Sequence, residues 1–548
     1  MVLKARYSIN PQDVPRYSGL TGRKLNIAVS VIATSGFLLF GYDQGVMSGI
    51  ITGEDFNNYF PQTKGNATWQ AFVTAIYEIG CLFGAIFSLI FADKVGRRRS
   101  IILGAAIMVV GVVIQVTAYT GYSPMAQFLV GRVVTGVGNG INTSTIPTYQ
   151  AECSRSHNRG LLICIEGGVI AFGTLIAYWL DYGASYGPPG LTWRFPIAFQ
   201  VVFGLIIVVA MVWLPESPRW LLSKDRTEEA TVVLAALSGQ PREHEDVQLQ
   251  LAVIMDSIRV SGQATGSSSY SSLFTGGKTQ HFRRMMLGIS SQFFQQIGGC
   301  NAVIYYFPLL FQQSVGTTHS LALLLGGVNM IIYAAFATTS WFVIEKVGRR
   351  RLFIIGSVGQ SAAMILAFAC LIPGTSSAAI GAGVAFFVYI GFFGATWLPL
   401  PWLYSAEISP VKTRARANAV STISNWLWNF TVVMFTPPFV AASPWGAYLF
   451  FAVVNASFVP VIYFFYPETA RRSLEEIDLI FAKGFTENLS YVKAAKQLPQ
   501  MTEQEAQVMA REYGFVSEDE ESGGKGWGEK GDVSPGAGGV QPVVGGGV

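Results

Sequence analysis

Stretches of about 20 consecutive apolar residues, the length needed to cross roughly 30 Å of hydrocarbon at about 1.5 Å per residue, recur along the chain. They lie near 26–51, 70–92, 101–119, 125–149, 161–181, 195–214, 285–311, 320–344, 352–372, 379–404, 417–438 and 446–466. This pattern predicts an all-α polytopic membrane protein with twelve spans. The polar intervals carry their own signals. Between 215 and 284, RTEEATVVLAALSG and EHEDVQLQLAVIMDSI alternate apolar and charged positions with helical spacing, which predicts short amphipathic helices beneath the bundle. Beyond about 517 the chain is acidic and then rich in Gly and Pro, a composition expected to stay disordered. The first apolar run is too long and begins too late for a cleaved leader, so the N-terminus is expected to remain on the protein.

Composition agrees, with 51% hydrophobic residues and only 13% charged over 548 positions, and a mean hydropathy of +0.40. Five cysteines (Cys81, Cys153, Cys164, Cys300, Cys370) are odd in number and fall mostly inside spans, which favours small packing residues over a disulfide framework. The net charge of +4 says less than its placement. Basic residues gather in alternate gaps: Lys4 to Lys24, Lys94 to Arg99, Arg155 and Arg159, the 215–284 segment, Lys346 to Arg351, and Lys412 to Arg416, with Lys64 and Arg194 the main exceptions. The positive-inside rule then puts both termini in the cytoplasm, which requires an even number of spans. The sequon Asn66-Ala67-Thr68 falls on the outer side, making Asn66 a candidate glycosylation site.

The chain repeats itself. DKVGRRRSIILG from Asp93 matches EKVGRRRLFIIG from Glu345, and PESPRW from Pro215 matches PETARR from Pro467, both at an offset of 252 residues. PTYQAECSRSHNRG from Pro147 aligns with PWLYSAEISPVKTR from Pro401, pairing Glu152 with Glu407 and Arg159 with Arg414. Two parallel six-span halves follow. The expected organisation is a cytoplasmic segment 1–25, a first half 26–214, a linker 215–284, a second half 285–466 and a cytoplasmic tail 467–548.

Depth along the spans selects the chemistry. Asp43, the lone charge in IAVSVIATSGFLLFGYDQGVMSGII, sits about 13 Å from the outer end of its span, and Arg132 about 11 Å into the fourth from the same side. A buried charge costs several kcal/mol unless paired or protonated, so these two are expected partners. Gln295 and Gln296 in the seventh span, Asn329 in the eighth, and Asn425 with Trp426 in the eleventh all lie near mid-membrane. Amides both donate and accept, which suits an uncharged polyol; each could equally be a hydrogen bond holding helices together. GVGNG in the fourth span lies inside an apolar helix with no strand before it, so close helix packing is expected rather than a nucleotide loop. No histidines cluster with metal spacing, and the residues suggest neither a cofactor nor a catalytic constellation.

FGYDQG, DKVGRRR, GRVVTGVGNG, PESPRW, FFQQIGGCNAVIYY, EKVGRRR and YPETARRSLEEID together resemble the sugar porter family of the major facilitator superfamily, up to about residue 485, and within it the fungal monosaccharide and glycerol proton symporters. The resemblance implies the major facilitator fold. It also implies inner-gate ion pairs among Asp93, Arg97, Glu152, Arg159 and Glu216 and their counterparts Glu345, Arg349, Glu407, Arg414 and Glu468, although the charges could simply set topology. It makes Asp43 with Arg132 a proton switch, where a static ion pair is the alternative. Asn301 joins the substrate-facing residues, Tyr305 and Tyr306 form an outer gate, and Trp402 offers a face for a sugar ring. One position departs from the family. Where its sugar carriers place a Gln in the fifth span, this chain has Gly167, beside Glu166, which could be a second protonatable carboxylate or a hydrogen bond between helices. The implied activity is proton-coupled import of a monosaccharide at the plasma membrane by a monomer, with no nucleic-acid partner. Glycerol or another polyol, facilitative transport and non-transporting sugar sensing are the alternatives.

Overall fold

A computed structural model describes residues 14–119, 121, 123–154, 159–263, 273–373, 375–410, 413–499, 501, 505 and 509. The described residues 14–499 lie in one compact unit. The tail beyond 517, expected to be disordered, lies outside the described residues.

Helix dominates because in hydrocarbon every backbone N–H and C=O must be satisfied within its own segment. The first six spans are Gly22–Ile50, Ala67–Val95, Arg97–Val116, Pro124–Cys153, Arg159–Ala184 and Leu191–Trp213. The second six begin with a broken seventh, His281–Ile297 and Cys300–Leu310, followed by His319–Val347 and Arg349–Leu371. The tenth is also interrupted, running Ser376–Phe392, a wide turn Phe393–Trp397, and Leu400–Ile408; Arg414–Ala442 and Pro444–Phe465 complete the set. Most helices begin several residues before the apolar run does. Hydropathy marks the hydrocarbon-facing part, whereas the backbone stays helical through polar first turns at the headgroups.

Among the described residues, nine helices are by themselves long and apolar enough to cross a membrane. The fourth, seventh and eleventh spans are the exceptions. The fourth carries Arg132, Asn139 and Asn142, the seventh four buried amides, and the eleventh Asn425 and Asn429, all buried. Their polarity is tolerated because they face other helices rather than lipid.

The break in the seventh span, expected as a continuous run over 285–311, occurs at Gly298 and Gly299. Gly299 adopts φ +94°, and a Cβ there would sit 2.6 Å from the Phe451 ring. The freed Gly298 carbonyl accepts from Tyr389 Oη at 2.9 Å and Asn455 Nδ2 at 2.8 Å. Interrupted backbone at membrane depth is admissible when neighbours re-satisfy it in this way.

Within the first half, GVGNG packs the fourth span onto the second, since a Cβ at Gly136 or Gly140 would strike the backbone carbonyls of Tyr77 or Cys81. The halves meet along the second and eleventh spans and along the fifth and eighth. Linker helices Pro218–Ser223, Thr227–Ser238 and Glu245–Gln263 occupy the amphipathic stretches. Asn26 Nδ2 ties the first span to them by donating to the Leu237 carbonyl at 2.7 Å. Two tail helices, Leu474–Thr486 and Tyr491–Gln497, were not expected; the former opens on a capping box between Ser473 and Glu476. All five cysteines are unpaired.

Candidate functional site

The first half supplies charge at mid-membrane. Asp43 is fully buried, and its Oδ2 accepts from Tyr77 Oη at 3.1 Å. Tyr77 Oη in turn receives a hydrogen bond from Asn139 Nδ2. Arg132, also buried, lies over the Tyr77 ring with Cζ 4.7 Å from its centroid and donates to the Thr74 carbonyl at 3.1 Å. The expected direct ion pair between Asp43 and Arg132 is thus replaced by a relay in which Tyr77 stands between the charges, hydrogen-bonded to one and stacked under the other. Helix depth aligned the two residues, but the second span inserts a ring between them. Glu166 is buried on the fifth span with Oε1 lacking a hydrogen-bond partner. Its neighbours Gly167 and Gly168 pack on Pro399 and Trp341 of the second half.

The second half supplies amides. Asn425 Nδ2 donates to Gln292 Oε1 at 2.7 Å and Gln295 Oε1 at 3.0 Å, joining the eleventh span to the seventh. Gln295 Nε2 is spent on the carbonyls of Trp397 and Leu398, at 2.8 and 3.1 Å, where the tenth span is interrupted. Asn301 Nδ2 bonds Gln296 Oε1 at 2.6 Å and Asn429 Oδ1 at 2.5 Å. Several buried atoms in this half have no partner: both amide atoms of Asn329, Tyr333 Oη one turn further along the same face, Trp426 Nε1, Gln292 Nε2 and Asn429 Nδ2. Unpaired buried polar groups are costly, and hydroxyls of a small solute could satisfy them. The Trp426 ring meets Phe40 of the first half edge-on at 5.2 Å between centroids. Trp402 lies half-buried on the inner segment of the tenth span. Tyr305 and Tyr306 are fully buried; Tyr305 Oη donates to Glu78 Oε1 at 2.5 Å and Tyr306 Oη to the Val433 carbonyl at 2.9 Å.

At the ends of the spans that carry the GRRR turns, the two halves hold the same network. Arg97 pairs with Asp93 at 2.7 Å and with Glu152 at 3.1 Å; Arg349 pairs with Glu345 at 2.6 Å and Glu407 at 2.7 Å. Glu216 accepts from the backbone N–H groups of Arg97, Arg98 and Ser217, each at 3.0 Å. Burial pushes its carboxyl up from the ordinary range, against those N–H donors and the Arg98 and Arg97 charges. Glu468 accepts from Arg349, Arg350, Thr469 and Ala470 N–H groups at 2.8 to 3.1 Å. Each network ends on a hydroxyl, Ser217 on Glu152 and Thr469 on Glu407. Gly96 and Gly348, with φ +98° and +94°, turn the chain so that the following N–H groups face these acids. Arg414 donates to the Ser409 carbonyl at 3.4 Å; the Arg159 side chain lies outside the described residues. Asn66 Oδ1 caps the second span by accepting from Thr68 and Trp69 N–H.

Sequence reading overlooked Tyr77, Glu78, Gln292 and Asn429, as well as the Arg284–Asp478 pair at 2.5 Å that ties the seventh span to the tail helix. For Glu78 the signal was present, a lone carboxylate inside the apolar run TAIYEIGCLF. Tyr77 gives no such signal, because a tyrosine in a span is ordinary.

Comparison with known proteins places this geometry. The family model described as "Sugar (and other) transporter" matches residues 28–481. The chain is 46% identical over 510 residues to "Sugar transporter STL1" of Saccharomyces cerevisiae, covering 92% of this chain and 89% of that protein. It is 44% identical over 515 residues to "Major facilitator superfamily transporter mfsA" of Aspergillus fumigatus, covering 92% and 94%. Among solved structures, the proton:xylose symporter XylE bound to 6-bromo-6-deoxy-D-glucose superposes with a TM-score of 0.71 at 25% identity, over 83% of this chain and 99% of that one; XylE comes from E. coli. With its bundle of apolar helices and a family match over most of its length, the chain belongs to the sugar transporter family of major facilitators, and it is a multi-pass membrane transporter rather than an enzyme.

Proposed function

We propose that the protein imports a small neutral polyhydroxylated solute, a monosaccharide, together with protons, by alternating access across the plasma membrane, with both termini in the cytoplasm. One observation carries the reading: a buried carboxylate–guanidinium cluster in one half faces a half whose buried amides retain unpaired donors and acceptors. The first arrangement suits a proton, whose binding cancels a costly buried charge. The second suits hydroxyls, which donate and accept at once. Asn329, Trp426 and the free amide groups of Gln292 and Asn429 would take the solute, while Gln295 and Asn425 would hold the pocket's shape. Opening inward requires both GRRR networks to separate from their acids, and opening outward requires Tyr305 and Tyr306 to withdraw. Asp43 would take the proton from outside and lose it inside.

A linear polyol such as glycerol is the second reading, favoured by the fifth span. A side chain at Gly167 would meet Pro399 Cα and Cβ at 3.2 Å, so the helices close on each other where related sugar carriers are expected to present a Gln. Uptake of labelled hexoses, pentoses and glycerol in transporter-null cells, with and without a protonophore, tests both readings. Accumulation that collapses with the protonophore supports symport, and the preferred solute decides between ring and chain. Persistence of uptake under the protonophore points to facilitated diffusion, and absence of any uptake to a sensor.

A further inference from the structure

Glu78 lies one residue beyond Tyr77 on the second span, is fully buried, and has Oε2 without a hydrogen-bond partner. Its other oxygen accepts from Tyr305 Oη, a residue 227 positions away in the other half. The Arg132 guanidinium acts electrostatically on Glu78 as it does on Asp43, and the two carboxylates repel each other. The phenols of Tyr42, Tyr77, Tyr305 and Tyr306 and the Cys81 thiol are the other titratable groups that act on them among the described residues.

We infer that Asp43, Glu78 and Arg132 form one cluster that can be sealed beneath Tyr305 only when it holds one proton, so that Glu78 sets the proton requirement of transport. The inference rests on the proton-coupled reading and deepens it. Two carboxylates and one guanidinium carry a net charge of minus one. With the outer side open, water solvates that charge; closing the gate removes the water, and a net charge stranded in a low-dielectric interior is strongly disfavoured. One proton, taken from outside onto either carboxylate, restores neutrality and permits closure. When it rests on Asp43, Glu78 remains ionised and receives the charge-assisted hydrogen bond from Tyr305, which is stronger than its neutral counterpart and holds the gate shut. The proton leaves when the inner side opens and water returns. An Asp43–Arg132 pair alone would already be neutral without a proton. The extra carboxylate is therefore what makes closure depend on one.

The test uses the full-length protein in transporter-null cells, supplied with labelled glucose, xylose and glycerol at several external pH values. Wild type should accumulate one of these in a protonophore-sensitive manner; a wild type that accumulates none overturns the proton-coupled reading itself. Glu78→Gln should only equalise inside and outside concentrations, independently of pH and protonophore, while still exchanging labelled for unlabelled solute. Protonophore-sensitive accumulation by Glu78→Gln, in a wild type that shows it, overturns the inference and leaves the reading intact. If Glu78→Gln reaches the membrane poorly, Glu78→Asp and Tyr305→Phe serve instead. Glu78→Asp should keep proton-dependent accumulation and Tyr305→Phe should displace the pH profile of uptake. Profiles of both variants superimposable on wild type would overturn the inference.

Discussion

The two halves are copies at the ends bearing their GRRR turns and strangers at their centres. Arg97 and Arg349 each bind an acid one turn earlier and a second from a neighbouring span, and each network collects backbone N–H groups on a glutamate after the sixth or twelfth span. At the centre, the first half holds Asp43, Glu78 and Arg132, whereas the second holds Gln292, Gln295, Gln296, Asn301, Asn425 and Asn429. In the proposed transport cycle both networks release together, and a gate of that kind gains from matched geometry, since either one left closed would block the path. Under the proposed proton-coupled reading, the centre takes a charge and a neutral solute at once and has no such symmetry to preserve. The first half buries amides too, Asn139 and Asn142 among them, so what sets it apart is its buried charges.

The comparison breaks most severely if the central charge is removed from its half. Arg132→Ala strands two buried carboxylates, and loss of a partner in such a cluster costs about 3–5 kcal/mol. Membrane abundance and detergent melting temperature should both fall sharply, whereas Asp43→Asn, which removes a charge instead of stranding one, should fold normally and lose only uphill accumulation. Symmetry at the inner ends is sharpened by truncating the two arginines in turn. The side chain of Arg349 is 3% exposed and that of Arg97 13%, so Arg349→Ala should destabilise more, by roughly 3 kcal/mol, with Arg97→Ala below it because solvent screens the remaining acids. Thermal denaturation of the two variants in one detergent orders them; equal losses would show that burial does not separate the networks.

A smaller effect probes the turns beneath those arginines. Gly96→Ala and Gly348→Ala impose a Cβ 2.7 and 2.6 Å from Glu216 and Glu468 oxygens at positive φ, a strain of about 1–3 kcal/mol that should be alike in both halves and register as matched shifts in melting temperature. The amides give the least change in stability but a clear change in function. Asn329 has no partner for either amide atom, so Asn329→Ala should leave melting unchanged or raise it, while raising KM about tenfold through loss of roughly 1.4 kcal/mol of solute binding. A destabilised Asn329→Ala with unchanged KM would assign that amide to helix packing.

Much of this organisation was legible along the chain. Apolar runs located the spans, the repeat paired the GRRR motifs of the two halves, the family resemblance named the acids around them, and depth picked out Asp43, Arg132 and the amides. Glu78 and the SLEE capping box at Ser473 carried sequence signals as plain as that of Asp43, and were overlooked rather than hidden. Other features had none. Trp397 and Leu398 contribute carbonyls to Gln295 only because the tenth span is interrupted beside them, and the Tyr77 ring enters the charge cluster through the rotation of the second span against the fourth.

Sequence by itself determined what each segment could be: membrane-crossing, amphipathic or polar at a given depth. These are local free energies of transfer and helix formation, and they are written in runs of neighbouring residues. Tertiary structure alone decided which polar groups meet. Tyr77 separates Asp43 from Arg132, Tyr305 reaches Glu78 across 227 residues, and Gln295 turns to the tenth span, because helix rotation and packing of small residues fix these partners and no local pattern encodes them.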